Sequence, residues 1–191
     1  MGEVYMKVLF LDIDGVLNSS QSSYYYRHII KRDENAFDKD KEDVLQWLAQ
    51  EFDPMAISNL YRIIDKTGCK IVISSTWRLG ETLETMKSWF KGLPLIQSAI
   101  IGSTPSLRVK TPNGQIINVP RGVEIHAWLV DYKMDKYKSK KYAILDDDSD
   151  MWPVHVNFFQ TKTNTGLDWE TAEHVIEFLN YIEPEPAKSD T

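Results

Sequence analysis

Residues 8–18 read VLFLDIDGVLN, and this stretch decides the fold. Val8, Leu9, Phe10 and Leu11 form a continuous apolar run of the length expected for a strand buried on both faces of a parallel sheet, and Gly15 ends it. Asp12 and Asp14 therefore fall at the carboxyl end of a sheet strand, where open α/β folds hold their ligands. Two carboxylates in that place repel each other and lose hydration, so they require a cation or a shared proton. A hard divalent metal supplies the first. The plain alternative is an acidic cap and turn after an ordinary strand, and the remaining strand ends decide between the two.

Two further apolar runs end in polar clusters. Lys70 to Arg78 reads KIVISSTWR, in which Ile71, Val72 and Ile73 give way to Ser74, Ser75 and Thr76. Small hydroxyls at a strand end can bind a phosphoryl oxygen, and a following helix N-terminus adds backbone N–H groups aimed at the anion. Trp77 and Arg78 either clamp substrate or pack. Tyr142 to Asp150 reads YAILDDDSD and crowds Asp146, Asp147, Asp148 and Asp150 together, which without a cation is costly self-repulsion.

The intervening chain supplies helices. Asp53-Pro54 places a capping aspartate before a proline in the first turn, and predicts a helix through Ile57, Leu60, Tyr61 and Ile64 that stops near Gly68. Shorter helices are expected over 42–50 and about 81–91, the latter ending at Gly92 and Pro94. The sequence over 96–119 is strand-like, with a hairpin turn at Thr111-Pro112-Asn113-Gly114. Arg121-Gly122 opens an amphipathic helix over 123–132 in which Ile125, Trp128 and Leu129 face the core. Arg121 either contacts a phosphate and the acidic cluster together or is an ordinary surface arginine before a helix. A strand over 154–160 and a helix over 168–181 close the pattern.

Ser19 to Lys41 is polar and tyrosine-rich, with Tyr24, Tyr25, Tyr26, Arg27 and His28 in succession. It reads as a mobile insert placed to cover the site, with Arg27 as a substrate contact, or as a solvated loop whose tyrosines pack on a neighbouring helix. Residues 133–141 are lysine-rich, a solvated linker or a path for a nucleic-acid strand. The expected architecture is α/β: a three-layer Rossmann-like parallel sheet flanked by helices, with a small cap-like insert over 19–50 and a short β-excursion. One domain is expected over 1–183, with a disordered tail over 184–191.

At 191 residues and 42% hydrophobic, the chain can fill one core. Its net charge of −6 argues against a main task of gripping a phosphate backbone, while leaving room for a local basic groove. Cys69, the single cysteine, excludes an internal disulfide and a cysteine-based zinc site, which fits a reducing cytoplasm. No signal-peptide pattern opens the sequence, and no run approaches the roughly 20 apolar residues of a membrane helix. A soluble, cytoplasmic chain without a membrane partner is expected.

With three strand ends in hand, the chain resembles the haloacid dehalogenase (HAD) superfamily of aspartate-nucleophile phosphatases over Val8 to about Leu179. DIDGV resembles the first family motif, with Asp12 at the nucleophile and Asp14 at the general acid/base position. Ser74 matches the second motif, and Asp146-Asp147 the double-acid fourth. Arg121 is the candidate for the cation of the third motif, the weakest match. The segments SSTWR, RGxEI and GLDWETAEHVIEFL resemble a small group associated with RNA-repair proteins. The resemblance implies a Mg2+ ion held by Asp12, the Asp14 backbone carbonyl and Asp147, with Asp146 and Asp150 orienting the metal's water or the arginine, and Asp146 grouped with the metal carboxylates. It implies phosphoryl binding by Ser74 and Arg121; Ser75, Thr76, Arg78 and Arg27 are further candidate substrate contacts from the residue reading. The function expected is phosphomonoester hydrolysis through an aspartyl-phosphate, on a nucleotide or a nucleic-acid 3′-phosphate end. A phosphotransferase using the same intermediate and a non-catalytic binding module of the same fold are the alternatives.

Overall fold

The computed structural model describes residues 6–25, 52–131 and 142–181. In chain order the elements are β1 (Val8–Leu11), α1 (Ser20–Tyr25), α2 (Pro54–Thr67), β2 (Lys70–Ile73), α3 (Leu83–Ser88), α4 (Pro94–Ala99), β3 (Ile100–Ser103), β4 (Arg108–Lys110), β5 (Ile116–Asn118), α5 (Arg121–Asp131), β6 (Tyr142–Asp146), β7 (Phe158–Gln160) and α6 (Trp169–Asn180). The expected helix over 42–50, the residues Tyr26, Arg27 and His28, the lysine-rich 133–141 and the tail lie outside the described residues.

A five-stranded sheet runs in the order β3-β2-β1-β6-β7, with every neighbouring pair parallel. This is an α/β, Rossmann-like architecture with a parallel sheet flanked by helices. β1 is central and fully buried, as its unbroken apolar run requires. Side chains alternate between the two faces of the sheet. Leu9, Leu11, Ile71, Ile73, Ala143 and Leu145 pack on one side with Leu60, Ile63 and Ile64 of α2 and Val175 and Leu179 of α6. Val8, Phe10, Val72 and Ile144 pack on the other with Ile125, Trp128 and Leu129 of α5. Phe10 meets Trp128 edge-on at 5.2 Å between ring centroids.

Register does the most for function. Leu11 pairs with Ile73 on one side and Leu145 on the other, so Asp12, Ser74 and Asp146 each follow a paired residue at the same level of the sheet. The Asp12 N–H donates to the Leu145 carbonyl (3.0 Å) and the Ser74 N–H to the Leu11 carbonyl (2.8 Å), extending the ladder one step into the polar cluster.

α2 begins and ends as its sequence predicts: Asp53 accepts from the Met55 N–H (2.8 Å), and Gly68 closes it at φ 65°. The segment after Gly92 differs from the strand-like reading. Pro94 opens the short helix α4, whose Ile96 and Ala99 turn into the core, and strand begins only at Ile100. The helix expected over about 81–91 is confined to Leu83–Ser88. Residues His155–Asn157 form a 3-10 turn, leaving only Phe158–Gln160 as strand. α5 starts at Arg121 itself. Among the described residues, no helix is long and apolar enough to cross a membrane.

Phe10 is fully buried between Trp128 and Tyr142. Phe10→Ala is expected to cost about 3–5 kcal/mol, read as a lower denaturation midpoint in urea.

Candidate active site

Three strands deliver polar groups to one edge. Asp12, Asp146 and Asp147 each place a carboxylate oxygen within 4.8 Å of the others. Asp12 and Asp146 are buried and Asp147 is half-buried. From the first turn of α5, Arg121 brings Nη1 to 3.6 Å from Asp12 Oδ1 and Nε to 3.9 Å from Asp146 Oδ2. The Ser75 hydroxyl lies near enough to the Asp12 carboxylate to favour its charged form.

Burial raises the Asp12 carboxyl above the ordinary carboxylate range, against the opposing pull of Arg121 and the Ser75 hydroxyl. Asp146 is pushed up to about 7, first by burial and then by the negative charge of Asp12. Three buried polar atoms of this cluster, Ser74 Oγ, Arg121 Nη1 and Asp146 Oδ2, have no hydrogen-bond partner. Buried polar atoms are ordinarily paired, so three orphans gathered from two strand ends and the start of α5 mark a place shaped for something else to bind. The donor set is all oxygen and acidic, which suits a hard divalent cation such as magnesium. The orphaned serine and guanidinium groups suit an oxyanion beside it.

Asp147 is fixed from the β7 side. Its Oδ2 accepts from Thr163 Oγ1 (2.6 Å) and its carbonyl from the Gln160 amide (2.9 Å). Gly15, at φ 71°, lies so close that a Cβ there would meet Asp147 Oδ2 at 2.2 Å. The glycine of the first motif thus permits the approach of β1's end to β6's end, a role beyond stopping the strand. Thr161 donates to the Gly15 carbonyl (2.9 Å) and holds the same junction. Neither Thr161 nor Thr163 carries a sequence signal that would have singled it out.

Asp14 stands apart. Its side chain is exposed and is not one of the clustered carboxylates. Asn18 Nδ2 donates to its Oδ1 (3.0 Å) and Trp77 Nε1 to its Oδ2 (2.9 Å). Trp77 in turn stacks on Phe52 and meets Trp89 edge-on, so an aromatic cluster positions the carboxylate.

Arg78, read from sequence as a substrate contact, turns inward. Its Nε donates to the Thr104 carbonyl (2.9 Å), Nη1 to the Ser74 and Ser75 carbonyls (3.2 and 2.7 Å), and Nη2 to the Pro105 carbonyl (3.1 Å) and Glu124 Oε2 (2.5 Å). All five donors of the guanidinium are consumed, and none remains for a ligand. Ser75 accepts from the Trp77 N–H and lies near Asp12, and Thr76 is exposed. Asp150 accepts from the Arg121 backbone N–H (2.8 Å), so it fixes the arginine through the helix start.

Residues 8–172 match the family described as the HAD domain in Swiss Army Knife RNA repair proteins. No curated protein and no solved structure matches significantly.

The raised carboxyls set a pH dependence. A carboxyl whose folded pKa lies above its unfolded value gives stability that is complete at low pH and is lost as pH rises through the folded pKa. Metal-free protein is therefore expected to lose thermal stability between about pH 4 and about pH 7 on account of Asp146, with Asp12 acting in the same direction. Added Mg2+ should raise Tm more at about pH 7.5 than at about pH 5, where it must displace protons; calorimetric scans with and without the ion check both.

Proposed function

The chain belongs to the HAD-domain family of Swiss Army Knife RNA repair proteins, and on that premise we propose that it is a magnesium-dependent phosphomonoesterase acting through an aspartyl-phosphate. Membership supports an enzyme of the hydrolase or phosphatase type. The observation that carries the finer reading is the gathering of Asp12, Asp146 and Asp147 within 4.8 Å, with Arg121 facing both buried carboxylates.

Asp12 is the nucleophile. Its carboxylate oxygen attacks phosphorus in line, the bond to the leaving oxygen breaks, and the phosphoryl group becomes an acyl phosphate on Asp12. Arg121 favours the ionised form of Asp12 against its burial and faces the phosphoryl oxygens together with Ser74, whose hydroxyl is unpartnered. Asp12, Asp146 and Asp147 would hold magnesium, which when bound supplies positive charge to the phosphoryl oxygens and keeps three close carboxylates ionised together.

Asp14 handles protons. Anchored by Asn18 and Trp77 on the open side of the site, it gives a proton to the leaving oxygen. It then takes one from the water that attacks the acyl phosphate, releasing inorganic phosphate and restoring Asp12.

A nucleotide or a nucleic-acid 3′-phosphate end is the substrate class we favour. The insert over 19–50 is short for a lid that encloses a small metabolite, and the family's description names RNA repair.

Phosphate release should be measured across nucleoside monophosphates, 3′-phosphorylated oligonucleotides, sugar phosphates and an aryl phosphate. Asp12→Asn is expected to lower turnover by roughly 10³-fold or more with the fold intact by circular dichroism, and appreciable residual turnover would remove Asp12 from the nucleophile's role. Chelation should silence the wild type and Mg2+ restore it; turnover that persists in chelator contradicts the metal assignment.

A further inference from the structure

The antiparallel hairpin of β4 and β5 leaves all six of its strand residues exposed, including Val109, Ile116 and Ile117. A two-stranded hairpin gains little stability by itself, and this one spends β-branched residues on a surface that faces water. In its register Arg108 lies opposite Asn118, and Lys110 opposite Ile116. These four share one face, while Val109 and Ile117 occupy the other.

The charge around the hairpin departs from that of the chain. Of 191 residues 28 are acidic, yet no aspartate or glutamate falls between Glu84 and Glu124. The same span carries Lys87, Lys91, Arg108, Lys110 and Arg121. An acidic protein therefore carries here a long stretch whose charges are all positive, and that stretch runs into the candidate site.

Its position follows from chain reach. Only Val119 and Pro120 separate the end of β5 from Arg121, so the root of the hairpin lies within about 11 Å of the residue that faces Asp12. The Leu107 N–H donates to Glu124 Oε1 (2.8 Å), which ties the other arm to the first turn of α5. At that same turn the Gly122 N–H donates to the Asp150 carbonyl (3.0 Å), and a Cβ on Gly122 would meet the Trp152 carbonyl at 2.4 Å. Trp152, whose backbone is held there, is 69% exposed, although Met151 beside it is fully buried.

We propose that the hairpin face bearing Arg108 and Lys110, together with the Trp152 indole, is a contact surface for single-stranded polynucleotide whose phosphorylated end enters the site. Cations spaced along a strand match a phosphate backbone, and an exposed indole offers a platform to any base. Charge complementarity selects this occupant over a protein partner. The inference deepens the phosphatase reading and depends on it only for the phosphorylated end.

Fluorescence anisotropy with a labelled single-stranded RNA oligonucleotide tests it without reference to turnover. Arg108→Glu with Lys110→Glu is expected to weaken binding by about tenfold or more and to flatten the dependence of log K on log salt by about 1–2. Trp152→Ala is expected to weaken binding roughly tenfold with little change in that slope. Hydrolysis of a small aryl phosphate by the charge-reversed variant should be unchanged. If reversal disturbs folding by circular dichroism, the neutral pair Arg108→Gln with Lys110→Gln replaces it. Wild type that binds no oligonucleotide, or variants that bind it as well as wild type, would overturn the proposal, and a hairpin serving a protein partner or a second copy gives that result. Failure of the phosphatase reading is separate: it is absence of phosphate release from every substrate, whatever the binding data.

Discussion

The structure is arranged around one unfavourable interaction, the repulsion between two carboxylates at the end of adjacent buried strands. β1 and β6 pair in register, so Asp12 and Asp146 meet one step beyond Leu11 and Leu145. Neither can swing away into water, because the strands that carry them are buried on both faces. Arg121 offsets part of the cost, yet its distances of 3.6 and 3.9 Å are too long for hydrogen bonds to either carboxylate. The cation is near enough to attract and too far to satisfy. With Asp147 added on the open side, the edge keeps negative charge in excess, and a divalent ion is the economical solution to it.

Arg121 has to be held at that spacing, and the surrounding network does so from several directions. Asp150 accepts the Arg121 N–H, and the Gly122 N–H is bonded to the Asp150 carbonyl, which anchors the first turn of α5 to the loop after β6. In the same turn Glu124 forms a buried ion pair with Arg78. Arg78 also gathers the carbonyls of Ser74, Ser75, Thr104 and Pro105. A buried ion pair contributes little net stability against a well-packed apolar pair, since both ions lose their water. What this pair supplies is registry between the serine loop, the root of the hairpin and the helix that presents Arg121. The arginine that a sequence reading offers to the substrate is thus spent in holding the serine loop, in which the Ser74 hydroxyl is left for it.

How much of this was legible in sequence follows from the range of each cause. The three strands and their polar ends were legible, because an apolar run that stops at charge is a local pattern with a local reason. The capped helix from Pro54 to Gly68 was legible for the same reason. The family resemblance, carried by those strand ends, agrees with the match over residues 8–172. The strand-like reading of 96–99 fails because Ile96 and Ala99 are spaced for a helix face over too few residues to give a period, and Pro94, which sequence offers as a stop, is a start. Arg78 was misread because its partners, Thr104, Pro105 and Glu124, are brought to it only by the tertiary fold. The threonines that hold Asp147 and Gly15 are likewise visible only once β7 is placed beside β6.

The site divides into a dry half and a wet half, and the division bears on which carboxylate does what. Asp12 and Asp146 sit where water is excluded and where fixed charges act strongly. The nucleophile proposed at Asp12 profits from that setting, since beside Arg121 and a divalent cation it would act as a carboxylate without needing to exchange protons. Asp14, two residues along the same strand end, is exposed and held by two neutral donors, Asn18 and Trp77. A group that must give up a proton in one step and recover it from water in the next requires that access. Exchanging the two roles would place the proton carrier where water cannot reach it and the nucleophile where solvent competes for it. The order Asp-x-Asp along the chain is therefore an order from core to solvent, imposed by a strand that is buried to its last apolar residue and released by the glycine that follows.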